Sequence, residues 1–254
     1  MALASSVAAV AADGSLCPDR PIRFAYFEMG ALYSRGVGID RDLVDALQQR
    51  SGCSFAAAVQ PRARTWMELE RGNLDMTASA LSTPAREKFA WFADYFVDRN
   101  RLLLRAELPV AIRSLAELLA DPQVRVGVVR GFVHGAALDG VVAQLRDQGR
   151  LEEVEDQETL YRMLAGRRFD AIFGYPYVYA QYLRQNQMAA KVRVVELATL
   201  PTARSYLAMS HKAFTQAQAQ RWQELLNGMR ADGSLQAIFQ KHLGAAAARQ
   251  MLRY

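Results

Sequence analysis

The chain has 254 residues, 51% hydrophobic and 22% charged, with a formal net charge of +5 and a pI of about 9.4. This composition excludes a disordered or fibrous chain, and the longest near-apolar run, Met1–Ala12, is shorter than the roughly 20 residues a membrane-spanning helix needs. Two cysteines are too few for a disulfide scaffold or a structural zinc site. The arginines are scattered from Arg20 to Arg253 with no basic face, so no nucleic-acid partner is expected.

Residues 1–17 are set apart from the fold. Their small apolar residues end in Ala9-Val10-Ala11, which reads as the remnant of a secretory signal with an A-x-A cleavage site, although a positive start is missing. Ile22–Phe27 is a predicted strand, Asp40–Arg50 an amphipathic helix stopped by Ser51-Gly52, and Phe55–Val59 a second strand. Cys17 and Cys53 each precede a strand. Neighbouring parallel strands start about 5 Å apart, so a Cys17–Cys53 disulfide is expected, in keeping with an exported chain.

Pro61 breaks the second strand; a helix over Thr65–Arg71 and a strand over Leu74–Ser79 complete a β-α-β-α-β run. The pattern then restarts. Ser114 and Glu117 form a capping box, Arg125–Val129 is a strand, and Gly131 opens a helix to Arg146. Strands over Leu151–Glu155, Phe169–Phe173 and Val192–Leu197 alternate with helices over Thr159–Leu164 and Tyr177–Gln187. Helices over Phe214–Met229 and Ser234–His242 close the chain and are expected on the first unit. Joins at Leu102–Pro109 and Glu196–Ser205 divide it into residues 18–104 with 204–254, and residues 105–203. The two crossings between lobes make a hinge with a cleft, where open α/β sheets bind ligands.

No phosphate loop and no G-x-S-x-G elbow occurs. The three histidines, His134, His211 and His242, lack metal-ligand spacing with one another. No metal, cofactor or catalytic triad is expected.

Six motifs stand in one order: Gly38-Ile-Asp-Arg-Asp-Leu43, Trp66 to Asp75, Thr83-Pro-Ala-Arg-Glu-Lys88 with Phe92-Ala-Asp-Tyr95, Val126-Gly-Val-Val-Arg-Gly131, Gly166-Arg-Arg-Phe-Asp-Ala171 and Asp232-Gly-Ser-Leu235. Together they resemble the family-3 extracellular solute-binding proteins, the amino-acid-binding components of ABC importers, from about Ile22 to Leu243. The resemblance implies an α/β two-lobe periplasmic-binding-protein fold of type II, each lobe a mostly parallel sheet flanked by helices, with a double-crossover hinge. It also implies a periplasmic, monomeric protein whose partners are a small-molecule ligand and a membrane permease.

In that family the arginine of T-P-x-R binds the ligand's carboxylate, and Arg86 matches it; a guanidinium fork engages both carboxylate oxygens. Ser79 either donates a hydroxyl to the ligand or caps a turn. The rest of the usual α-amino-acid clamp is altered: a family hydroxyl falls on Leu81, the ammonium-binding aspartate near Tyr175 and a threonine near Val133. Glu28 is either a carboxylate for an amine or a solvated loop residue. Arg62 and Arg64, placed after the second strand where the family has an aromatic lid, either meet the ligand or lie on the surface. Tyr26, Tyr33, Tyr175 and Tyr177 either wall the cleft or pack in the core. His134, in the first turn after Gly131, is either a proton-dependent donor or a surface histidine.

Three functions follow: capture of a small carboxylate for an ABC permease, a dehydratase-like enzyme on the same fold, or a sensing protein with degenerate binding. Retention of Arg86 without the ammonium partner favours an anionic ligand.

Overall fold

The computed structural model describes residues 15–109, 112–197 and 200–254; the Met1–Ala12 segment read as a signal remnant lies outside them. The amino-terminal part runs β1 (Ile22–Tyr26), α1 (Ile39–Ser51), β2 (Phe55–Val59), α2 (Arg62–Arg71) and β3 (Met76–Ala80). Both helices end on a left-handed glycine, Gly52 at φ 72° and Gly72 at φ 79°, a conformation in which a Cβ is unfavourable. A 3-10 turn at Arg86–Lys88 leads to β4 (Ala90–Asp98) and β5 (Arg101–Arg105).

Next come α3 (Leu115–Ala120), β6 (Val126–Val129), α4 (Ala136–Asp147), β7 (Leu151–Val154), α5 (Gln157–Ala165), β8 (Ala171–Gly174), α6 (Pro176–Gln185) and β9 (Val192–Glu196). The chain closes with β10 (Ala203–Ser210), α7 (Gln216–Ala231), α8 (Ser234–Leu243) and α9 (Ala245–Met251). Side chains fix several helix starts. The Ser114 and Asp156 oxygens accept from the third residue onward, and Thr215 and Gln218 form a reciprocal capping box.

Among the described residues the strands form two sheets of five, ordered β2-β1-β3-β10-β4 and β7-β6-β8-β5-β9. In each, three strands are parallel, and one strand arriving from the other sheet is inserted antiparallel between the third and the edge strand. The result is the two-lobe α/β architecture with helices flanking both sheets. The carboxyl-terminal helices pack on the first sheet: α7 lies on β4 and α8 on α1. Polar ties hold them there. Gln223 brackets Asp94 through its backbone N–H and carbonyl, and Arg50 pairs with Asp232 at 2.7 Å.

The sequence reading differs from this fold in several elements. Strands β4, β5 and β10 and helix α9 were not foreseen, and β5 and β10 overlap the segments read as joins. Pairing decides this for the strands: Leu102–Leu104 hydrogen-bond to β8 and β9, and Ala203–Ser205 to β4, so the chain passes between sheets at Arg99-Asn100 and again between the end of β9 and the start of β10. Helix α2 starts at Arg62, directly after Pro61, which places Arg62 in a helix and not in a loop. Helix α4 begins only at Ala136, because Gly135 at φ 95° leaves the helical region.

Cys17 and Cys53 are joined, with Cα atoms 5.3 Å apart. The bridge pins the amino-terminal segment to the turn between α1 and β2. Replacing both cysteines by serine is expected to lower stability by about 3–4 kcal/mol, given a sequence separation of 36; guanidinium denaturation of the oxidised parent and the double variant measures it.

Candidate functional site

The ends of β1, β3, β6 and β8 point loops at the seam between the lobes. Arg62 enters it from the first turn of α2, and Arg86 from the 3-10 turn after β3. Both guanidiniums are buried, Arg62 at 4% and Arg86 at 7% exposure. They share one aromatic platform: Arg86 lies 3.6 Å and Arg62 5.3 Å from the Trp66 ring centroid, and Arg62 also stacks on Phe27 at 3.9 Å. Arg86 donates to the carbonyls of Leu81 at 3.0 Å and Gly131 at 3.1 Å, the second bond crossing to the other lobe. Arg62 donates to the Ser79 carbonyl at 3.1 Å, while its Nε and Nη1 are buried with no partner. Neither guanidinium has a carboxylate within ion-pair distance among the described residues. Desolvation lowers the pKa of both, and the charge of Arg62 lowers that of Arg86 further; guanidinium basicity still keeps them charged at neutral pH.

Beneath the arginines lies a buried polar knot. Ser79 Oγ donates to Asp40, with both carboxylate oxygens within 2.9 Å, and Tyr95 OH donates to Asp40 Oδ1 at 3.0 Å. The Ser79 backbone N–H donates to Tyr95 OH at 2.9 Å. Ser79 has φ 51°, which turns its carbonyl to Arg62 and its hydroxyl to Asp40. Burial pushes Asp40 up to about 7, against the two hydroxyl donors that favour its anion.

On the opposite lobe, His134 precedes α4 and is 8% exposed, so the surface reading of this histidine does not hold. Its backbone N–H donates to Asp139 at 2.8 Å and its carbonyl accepts from Asn100 at 3.3 Å, while both ring nitrogens lack partners. Desolvation pushes the imidazole down to about 4. Tyr175 is buried, stacked on Tyr177 with centroids 5.2 Å apart, and its hydroxyl has no partner. Tyr26 and Tyr33 stack on each other at 4.4 Å, both buried. Glu28 is half-buried and accepts from the Arg35 backbone N–H at 3.1 Å. Arg64 is exposed, with Glu68 4.0 Å away.

Sequence reasoning did not assign Trp66, Phe27, Phe132, Asp40 or Tyr95 to the site. Trp66, Asp40 and Tyr95 stood in quoted motifs, which was the available signal; Phe27 and Phe132 carried none. A cavity of about 250 Å3 borders Arg62, Phe27, Gln60 and Phe132, and one of about 220 Å3 borders Asn100, His134 and Leu81. A larger cavity of about 590 Å3, between α6 and the carboxyl-terminal helices, includes neither arginine.

The lobes also meet through backbone contacts, beside side-chain packing such as Phe96 on Tyr177. The Ala31 N–H donates to the Tyr177 carbonyl at 3.0 Å. Gly131, at φ 74°, sits so close that a Cβ would lie 2.9 Å from the Ala63 Cα.

With this geometry in view, comparison with known proteins is informative. The chain belongs to the bacterial extracellular solute-binding proteins, family 3, whose profile matches residues 23–245. No curated protein matches it. Among solved structures, an ancestral arginine-binding protein bound to arginine is similar at 22% identity and a TM-score of 0.74, covering 88% of this chain and 98% of that one. The arginine-, lysine-, histidine-binding protein ArtJ of Geobacillus stearothermophilus is 18% identical with a TM-score of 0.72, over 89% and 96%. A histidine kinase sensor domain similar to periplasmic binding proteins is 17% identical with a TM-score of 0.74, over 92% and 98%. At these identities the likeness is one of fold.

Neutral burial of His134 has a pH consequence. The unfolded imidazole, near 6.5, binds a proton that the native form at about 4 refuses, so its contribution is present above about pH 6.5 and lost as pH falls towards 4. Asp40, raised in the native state, has the opposite slope, so the two partly cancel in the parent. The difference between the parent and His134→Gln isolates the imidazole. Relative to the variant, the parent is expected to lose roughly 3 kcal/mol between pH 6.5 and 4, read from urea melts across that range.

Proposed function

We propose that this chain is a periplasmic, monomeric solute-binding protein that captures a small carboxylate between its lobes and presents it to an ABC permease. One observation carries the reading: two guanidiniums are buried at the lobe seam with no carboxylate to pair them. A buried cation is costly without a counter-charge, so a ligand carboxylate is the natural partner. Arg86 is the primary anchor, with Trp66 behind it as a flat wall that fixes the plane of the fork. Arg62, with unpartnered donors, borders one seam cavity and His134 another. Family membership supports extracellular small-molecule binding, and two of the similar structures above are amino-acid-binding proteins.

A ligand taken between lobes requires that the lobes part and close. The hinge we propose is Arg99-Asn100 and the link from β9 to β10, with the first lobe built on residues 18–98 and 203–254 and the second on residues 101–196. Because the Gly131 to Ala63 contact has no room for a side chain, Gly131→Val is expected to hold the lobes apart. Small-angle scattering would show a larger radius of gyration for the variant than for the parent.

The binding reading is tested by thermal shift and calorimetry against a panel of amino acids, organic acids and polyamines. Arg86→Ala is expected to weaken binding of the best carboxylate by about 2–5 kcal/mol while the fold survives. Unchanged affinity in Arg86→Ala, or a cation without a carboxylate as the tightest ligand, contradicts the reading.

A further inference from the structure

We infer that the ligand carries two anionic groups and no ammonium, the second anion being taken by Arg62 with Gln60. This rests on the carboxylate reading of Arg86 and adds a second subsite to it.

The first ground is the set of buried polar atoms without partners at Arg62. Its Nε and Nη1 are unbonded, and Gln60 Nε2, beside the same 250 Å3 cavity, is unbonded too. All three are donors. An acceptor-rich group such as a carboxylate satisfies them together. A neutral amide would leave its own donors facing theirs.

The second ground concerns the acids. An ammonium beside the ligand carboxylate needs a free carboxylate near the arginines. The two carboxylates that act electrostatically on the pair are Asp40, on Arg62, and Asp139, on Arg86. Both are engaged: Asp40 by the Ser79 and Tyr95 hydroxyls, Asp139 by the His134 backbone N–H. Glu28, Glu155 and Asp156 also border the cavity. Glu28 is engaged by the Arg35 N–H and Asp156 by the Thr159 N–H; Glu155 is exposed to solvent. None of these three acts on either arginine. Where the family's ammonium-binding aspartate falls, a tyrosine stands, and Tyr175 OH brings no charge.

Size sets the class. The cavity beside Arg62 and Gln60 is about 250 Å3, below the roughly 300–1,000 Å3 usual for drug-sized ligands. Short aliphatic dicarboxylates fit this description.

The test is calorimetry at pH 7 with matched probes on the intact protein: the C4 to C6 linear dicarboxylates, the monocarboxylates of the same chain length, and L-aspartate and L-glutamate. In the parent, the best dicarboxylate is expected to bind at least tenfold tighter than its monocarboxylate and no more weakly than the amino acid of equal length. In Arg62→Gln that gap should close while monocarboxylate binding persists, which also shows that the variant is folded. Equal affinity for mono- and dicarboxylates in the parent, a gap that survives Arg62→Gln, or an amino acid tenfold tighter than its deamino counterpart overturns the second subsite and leaves the Arg86 reading standing. Failure of every carboxylate to bind the parent overturns both.

Discussion

Two guanidiniums held out of water without an internal counter-ion set the terms for the whole molecule. A charged side chain at this depth is stable only if its donors are met and its field is offset. The fold meets part of that demand with carbonyls and ring faces. The Leu81, Ser79 and Gly131 oxygens accept from the pair, and Trp66 and Phe27 present their faces to it. These are neutral groups; Asp40 and Asp139 act on the charges from beyond ion-pair distance, and the proposed ligand carboxylate would pair with them directly.

The supporting shell is arranged around that constraint. Ser79 can turn its carbonyl to Arg62 only in a left-handed conformation, which is costly for a residue with a Cβ. The Asp40 and Tyr95 bonds hold it there, and they tie together α1, the end of β3 and the middle of β4. A raised Asp40 and a lowered His134 have the same origin, desolvation at the seam, acting on groups of opposite charge type. The seam therefore holds buried polar groups of both charge types.

The double crossing explains why the seam can also be a hinge. Each sheet accepts one antiparallel strand from the other lobe's side, and the links themselves are short. The contact between lobes combines close backbone approach at Gly131, where a Cβ has no room, with buried packing such as Phe96 on Tyr177, ring centroids 5.7 Å apart.

Local sequence determined much. Alternating periodicities gave β1, α1, β2 and the later βα units, because each depends on spacing within a dozen residues. Six ordered motifs pointed to the family, and the two cysteines to their bridge, since both precede strands that lie side by side. Arg86 was legible because it sits in a motif. The tertiary structure alone decided the rest. Strands β4, β5 and β10 owe their state to pairing with segments 70 to 130 residues away in the chain, about which a local pattern says nothing. Arg62 was read as a loop arginine that either meets the ligand or lies on the surface; that it is buried in the first turn of α2, stacked on Phe27 and near Trp66 of the same helix, only the packing decided. His134 reads on the page as a surface residue and is driven inside by the loop that Gly135 turns before α4. Burial and charge pairing are long-range properties, and they made scattered side chains into a site.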